Sequence, residues 1–111
     1  MKHSSANALL PATVRRALAR LGADIRLARR KRALTVKMMM ERTGVAKTTY
    51  LKVEKGDPTV AMATYAMVLY VLGLGEALGQ LADARQDDTG LMLDARRLPQ
   101  RVRARKRLQP L

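Results

Sequence analysis

Four residues in one short stretch carry the chemistry that this sequence offers most clearly. Lys47, Thr48, Thr49 and Lys52 lie in AKTTYLKVEK, residues 46–55; each donates hydrogen bonds and none is acidic. If the stretch is a helix with Tyr50 and Val53 turned inward, these four face outward. A donor-rich helix face suits the major groove of duplex DNA, where guanine presents two acceptors and thymine one. The plainer alternative is a helical hairpin whose polar face is simply solvated.

Other chemistries lack their residues. There is no Cys, which excludes disulfides, thiolate zinc sites and thiol catalysis. The one His, His3, stands beside Ser4 and Ser5 near the N-terminus with no third group to orient a nucleophile. Asp87-Asp88 has no further metal ligands around it and reads as a solvated turn or a helix cap. GLGEALG, residues 73–79, has the wrong spacing for a nucleotide loop and no strand before it, so it reads as helix punctuation. Phe and Trp are absent and Tyr occurs three times, which argues against a single-strand binder that stacks bases on aromatic platforms. No catalytic, metal-binding or cofactor-binding set is expected, and the chain is not expected to be an enzyme.

The elements that must position the four donors follow from periodicity. Val14, Leu18, Leu21, Ile25 and Ala28 recur at helical spacing and predict a helix over 13–32, with Gly22 as a possible interruption. Thr35 is an N-cap candidate for a second helix through VKMMMER, ending before Gly44. The third helix is AKTTYLKVEK, closing at Gly56. Two short helices joined by a glycine turn form a helix-turn-helix arrangement, with Met39, Val45, Tyr50 and Val53 inward. MATYAMVLYVL, 62–72, is apolar almost all round and is expected to be the central buried helix. A fifth helix is expected from Gly75 or Glu76 to Asp83, and DDTGLMLDARR adds a further helical turn or two. From Pro99 the chain is basic with little to bury, so RVRARKRLQPL is expected to be disordered when free.

Charge is distributed unevenly along these elements. The chain has 111 residues and a formal charge of +13, which favours a polyanionic partner. Residues 1–32 carry +8, residues 33–94 carry −2 and residues 95–111 carry +7. The donor-rich helix therefore lies in the near-neutral middle. Bulk charge is expected to govern encounter and salt dependence, and a few residues to govern specificity. No apolar run reaches the length of a membrane span, and the start lacks a signal-peptide core, so no membrane and a cytoplasmic, nucleoid-associated location are expected.

From Leu21 to Leu72 the chain resembles the phage-repressor (Xre/Cro-like) helix-turn-helix family. The resemblance is carried by LGADIRLARRKRALT, by MMMERTGVAKTTYLKVEKG and by MATYAMVL. It implies that Arg29 in the first helix pairs with Glu54 at the end of the recognition helix. It implies that Lys47, Thr48 and Lys52 contact base edges and that Thr49 reaches base or phosphate. Thr35 matches a phosphate-contacting cap position, and Lys37 and Lys55 match phosphate contacts. Met40 departs from the pattern, because the family commonly has Ala where the two helices approach, and a Met must bend away or spread the pair.

A narrower resemblance covers KVEKGDPTVAMATYAMVLYVLGLGEALGQLAD, which is similar to the Hip-type antitoxins, the DNA-binding partners of HipA-like protein kinases. DARRLPQRVRARKR is similar to their basic tail. This implies a homodimer on a palindromic operator, with half-sites one DNA turn or about 34 Å apart, and restraint of a kinase toxin. The ATP chemistry would then belong to the kinase.

These readings combine into one expectation. The fold is all-α, a five-helix phage-repressor-like domain over 13–84, after a flexible N-terminus over 1–12 and before a basic, partly disordered extension over 85–111. The function is a sequence-specific repressor and antitoxin. A stand-alone Xre-type regulator without a toxin partner is the alternative, and a non-specific architectural DNA-binding protein is a more distant one. The tail residues Arg101, Arg103, Arg105, Lys106 and Arg107 could track phosphates, dock on the kinase or only aid solubility.

Overall fold

A computed structural model describes residues 9–97, and these are all-α with no strand among them. The basic tail after Pro99 and the segment around His3 lie outside the described residues. Helix α1 spans Ala12–Lys31, α2 Val36–Thr43, α3 Lys47–Glu54, α4 Met62–Val71 and α5 Gly75–Gly79. A 3-10 turn at Ala84–Gln86 follows, and residues 88–97 form α6. The chain divides into two compact units, Met1–Leu78 and Gly79–Leu111.

The first unit has one core. Ile25 of α1, Met39 of α2, Tyr50 and Val53 of α3, Tyr65, Val68 and Leu69 of α4, and Leu72 just beyond it are buried together. In a chain without Phe or Trp, Tyr50 and Met39 supply much of the bulk that an aromatic core would otherwise provide. Met40 lies at the rim of this cluster with Leu21, Ala28, Leu34, Val36 and Val45. Met40 thus packs against the core without entering it, and α2 and α3 still pack together.

Local chemistry shapes the α2–α3 connection. Thr35 caps α2 by accepting from the Met38 N–H at 3.1 Å. Gly44 ends α2 in the left-handed conformation at φ 73°, where a Cβ is unfavourable. Thr43 donates from Oγ1 to the Met39 carbonyl at 2.7 Å and accepts from the Val45 N–H at 3.2 Å, which pins both sides of the turn. At the end of α1 a non-glycine residue, Ala33 at φ 55°, takes the left-handed position and lets Leu34 N–H bond back to the Arg29 carbonyl at 3.2 Å.

Four expectations change. Gly22 does not interrupt the first helix, which is continuous over 20 residues; the glycine is a point of close approach, described below. Val14, expected inward, is 40% exposed because the core begins further along α1. The helix 62–72 is not buried all round. It packs one face on α2, and Met62 and Tyr70 are both 73% exposed. The fifth helix stops at Gly79, and the polar segment after it forms α6, a helix of its own rather than one or two loose turns. Asp87 starts α6: its carboxylate accepts from the Gly90 N–H at 2.9 Å and its carbonyl from Leu91 N–H at 2.8 Å. Residues 79–97 contain no buried residue.

Candidate nucleic-acid interface

The surface offered by α2 and α3 is held from behind by one ion pair. Arg29 of α1 donates through Nε to Glu54 Oε2 at 2.6 Å and through a terminal nitrogen to Oε1 at 3.3 Å. Its other terminal nitrogen donates to the Leu34 carbonyl at 2.9 Å. The Tyr50 hydroxyl donates to the same Oε2 at 2.5 Å. The Arg29 and Glu54 side chains are only 11% and 8% exposed, so the fork lies at the inner margin of the domain. One guanidinium therefore ties α1, the α1–α2 connection and the end of α3 together. The bonds to Glu54 hold Arg29 further in its charged form.

The same region predicts alkaline behaviour. Burial, then the hydrogen bond to Glu54, pushes the Tyr50 phenol well above its ordinary range. Tyr65 donates to the Asp57 carbonyl at 2.7 Å, and burial together with the Asp57 charge pushes its phenol up to about 12. Both folded values lie above the unfolded one, so the folded state holds these protons more tightly. Their contribution is complete below the unfolded tyrosine value of about 10 and is lost as pH rises through the folded values. Titration followed by phenolate absorbance and far-ultraviolet circular dichroism should show helix loss coupled to tyrosine ionisation above about pH 10. Ionisation of every tyrosine with the helical signal unchanged would contradict this.

On the outer side, Lys47 is the first residue of α3, and Lys47, Thr48 and Lys52 are exposed. Thr49 is half-buried and sits at the edge of this face. Lys55 follows α3 directly and is exposed, as is Lys37 in the first turn of α2. Thr35 is exposed; its oxygen accepts the capping bond, which leaves its hydroxyl hydrogen free to donate outward. Ala46 gives α3 no side-chain cap, so the first N–H groups of α3 have no partner from that residue. Asp57 lies just beyond the far end of α3. Its carboxyl lies below the usual range, chiefly through hydrogen bonds from the Thr59 hydroxyl and N–H, with help from the Lys52 and Lys55 charges.

Leu51 was missed by sequence reasoning. It is 39% exposed and lies between Thr48 and Lys52 on α3. In a donor-rich face an apolar group of this kind suits the thymine methyl. Its three- and four-residue spacing from Thr48 and Lys55 was the available signal.

Compared with protein-family models, curated proteins and solved structures, the chain matches none. Among the described residues no helix is long and apolar enough to cross a membrane, and no group of three or more His, Cys, Asp or Glu could hold a metal ion.

Proposed function

We propose that the chain is a helix-turn-helix DNA-binding protein that inserts α3 into the major groove of a specific duplex site and acts as a repressor. The observation that carries the reading is the exposed donor face of Lys47, Thr48 and Lys52 on a short helix braced from behind by Arg29, Glu54 and Tyr50. Such bracing keeps α3 fixed in orientation, so hydrogen bonds to base edges need not be assembled on binding. Thr35, Lys37 and Lys55 flank the face as phosphate contacts and set its register, with Thr49 at its margin.

The Hip-type reading extends this proposal. A homodimer would present two α3 helices to a palindromic operator, and the same chain would restrain a HipA-like kinase. Its support is the sequence similarity over KVEKGDPTVAMATYAMVLYVLGLGEALGQLAD. Co-expression with a HipA-like kinase encoded beside the chain tests it. Failure of the two to co-purify, with operator binding intact, leaves the stand-alone regulator.

Lys47→Ala should cost about 1–3 kcal/mol on the specific site and little on random duplex. Fluorescence anisotropy at physiological salt, with a fragment from upstream of the gene and a random competitor, reads both. An equal loss on both duplexes would make Lys47 a phosphate contact. Wild-type protein that binds both duplexes alike would remove the specific-repressor reading and favour a coating protein.

A further inference from the structure

Helix α1 carries a second charged surface that the reading of α3 does not use. At about 100° per residue, Gly22, Ile25 and Arg29 form its inner line, Arg16, Arg20 and Lys31 fall roughly 120–180° round from Gly22, and Arg26 and Arg30 lie on the flank between, roughly 40° and 80° round. All five cations are exposed. The inner line is where α1 meets the end of α3, since a Cβ on Gly22 would stand 2.7 Å from the Glu54 carbonyl oxygen. Arg16, Arg20 and Lys31 therefore face away from α3, and Arg26 and Arg30 occupy the adjoining exposed flank.

Only part of this stripe is favourable within the chain itself: Arg30 and Lys31 complement the dipole in the last turn of α1. Arg16 and Arg20, and Arg26 and Arg30, are like-charge neighbours four residues apart, each pair opposing the helix. The first turn has no acidic residue to complement the helix dipole. Among the described residues the stripe has one acidic neighbour, Asp24, whose carboxylate is 3.8 Å from Arg20 with both side chains largely exposed. Like charges held together at an exposed place, with one weak internal partner in Asp24, point to an external one.

We propose that the outer face of α1 binds the phosphate backbone of a duplex DNA segment separate from any held by α3. The five cations run for about 22 Å at 1.5 Å per residue, a linear array that matches the linear charge of a duplex better than a compact acidic patch does. Four of the five are Arg, whose planar fork takes phosphate oxygens in pairs. The stripe has no aromatic residue for stacking single-strand bases, and Leu27 is its only large apolar residue, too little for a helix lying in a membrane surface. A chain with two such faces would bridge DNA segments.

The test does not depend on α3 reading sequence, because α3 is disabled in the reference protein. Full-length Lys47→Ala/Lys52→Ala protein is compared with the same protein carrying Arg16→Gln/Arg20→Gln/Arg26→Gln/Arg30→Gln, Gln being a good helix former. Circular dichroism checks that both are folded. Binding of a random-sequence duplex is measured across salt concentrations. The four α1 changes should lower the slope of log affinity against log salt by up to about 3.6, at about 0.9 for each phosphate no longer neutralised. Affinity at low salt should fall at least about tenfold. In a sandwich assay, wild-type protein held on one immobilised duplex should retain a second labelled duplex, and the α1 variant in an otherwise wild-type chain should not. An unchanged slope would overturn the proposal, as would loss of binding to phosphatidylglycerol vesicles with duplex binding intact.

Discussion

Arg29→Ala should destabilise the first unit by about 3–5 kcal/mol, because it leaves the Glu54 carboxylate at an inner margin with its charge unpaired. A unit of this size has a total stability of only about 4–10 kcal/mol, so much of the variant should be unfolded at physiological temperature. The loss is large because one guanidinium makes three bonds, two to Glu54 and one to the Leu34 carbonyl. Tyr50 would still donate to Glu54, but a single phenol does not neutralise a carboxylate. Urea unfolding followed by circular dichroism gives the magnitude. Replacing both partners, as in Arg29→Met with Glu54→Leu, should recover much of the loss, since no buried charge then remains. A fully stable single variant would mean that the fork is solvated and does not hold α1 to α3.

Gly22→Ala is the second large effect, and its sign opposes helix propensity. Ala is favoured over Gly within a helix by about 1 kcal/mol. Here, however, the added methyl would collide with the Gly56 nitrogen and stand 2.7 Å from the Glu54 carbonyl oxygen. Both are backbone atoms and cannot rotate aside. Gly56 is tight in return: its own Cβ would meet the Leu18 carbonyl, and its φ of 71° already favours glycine. To relieve the clash, α1 must move off the end of α3, which also stretches the Arg29–Glu54 fork. The net cost should be about 1–3 kcal/mol after the propensity gain. Gly79→Ala serves as the control, because nothing lies within 4 Å of its Cβ position. It should change stability by no more than about 0.5 kcal/mol. Thermal melts of the two variants beside wild type make the comparison, and equal melting temperatures for Gly22→Ala and wild type would sink the account of this close approach.

Both predictions rest on the approach of α1 to the end of α3, yet they differ in how visible that approach is in the residues. Arg29 and Glu54 come forward through the resemblance to the phage-repressor family. Gly22 reads from local pattern as a helix defect, because its approach to Gly56 spans 34 positions of chain and has no local periodicity. The apolar helix 62–72 misleads for a related reason. Composition says that it is apolar on every side, but only packing decides which side finds a partner, and Met62 and Tyr70 find none among the described residues of the first unit.

Local rules, read along the chain, determined much of this protein. Three- and four-residue spacing put Ile25, Met39, Tyr50 and Val53 inside. The hydroxyl of Thr35 and the left-handed Gly44 set the start and stop of α2. Lys47, Thr48 and Lys52 had to face outward once Tyr50 and Val53 faced inward, since a helix has only one side toward its core. Tertiary structure alone decided the remainder: that Gly22 is a point of close approach to Gly56, and that Met62 and Tyr70 stay exposed on an apolar helix. Those facts depend on where residues distant in sequence come to rest, and periodicity within one helix carries no information about that.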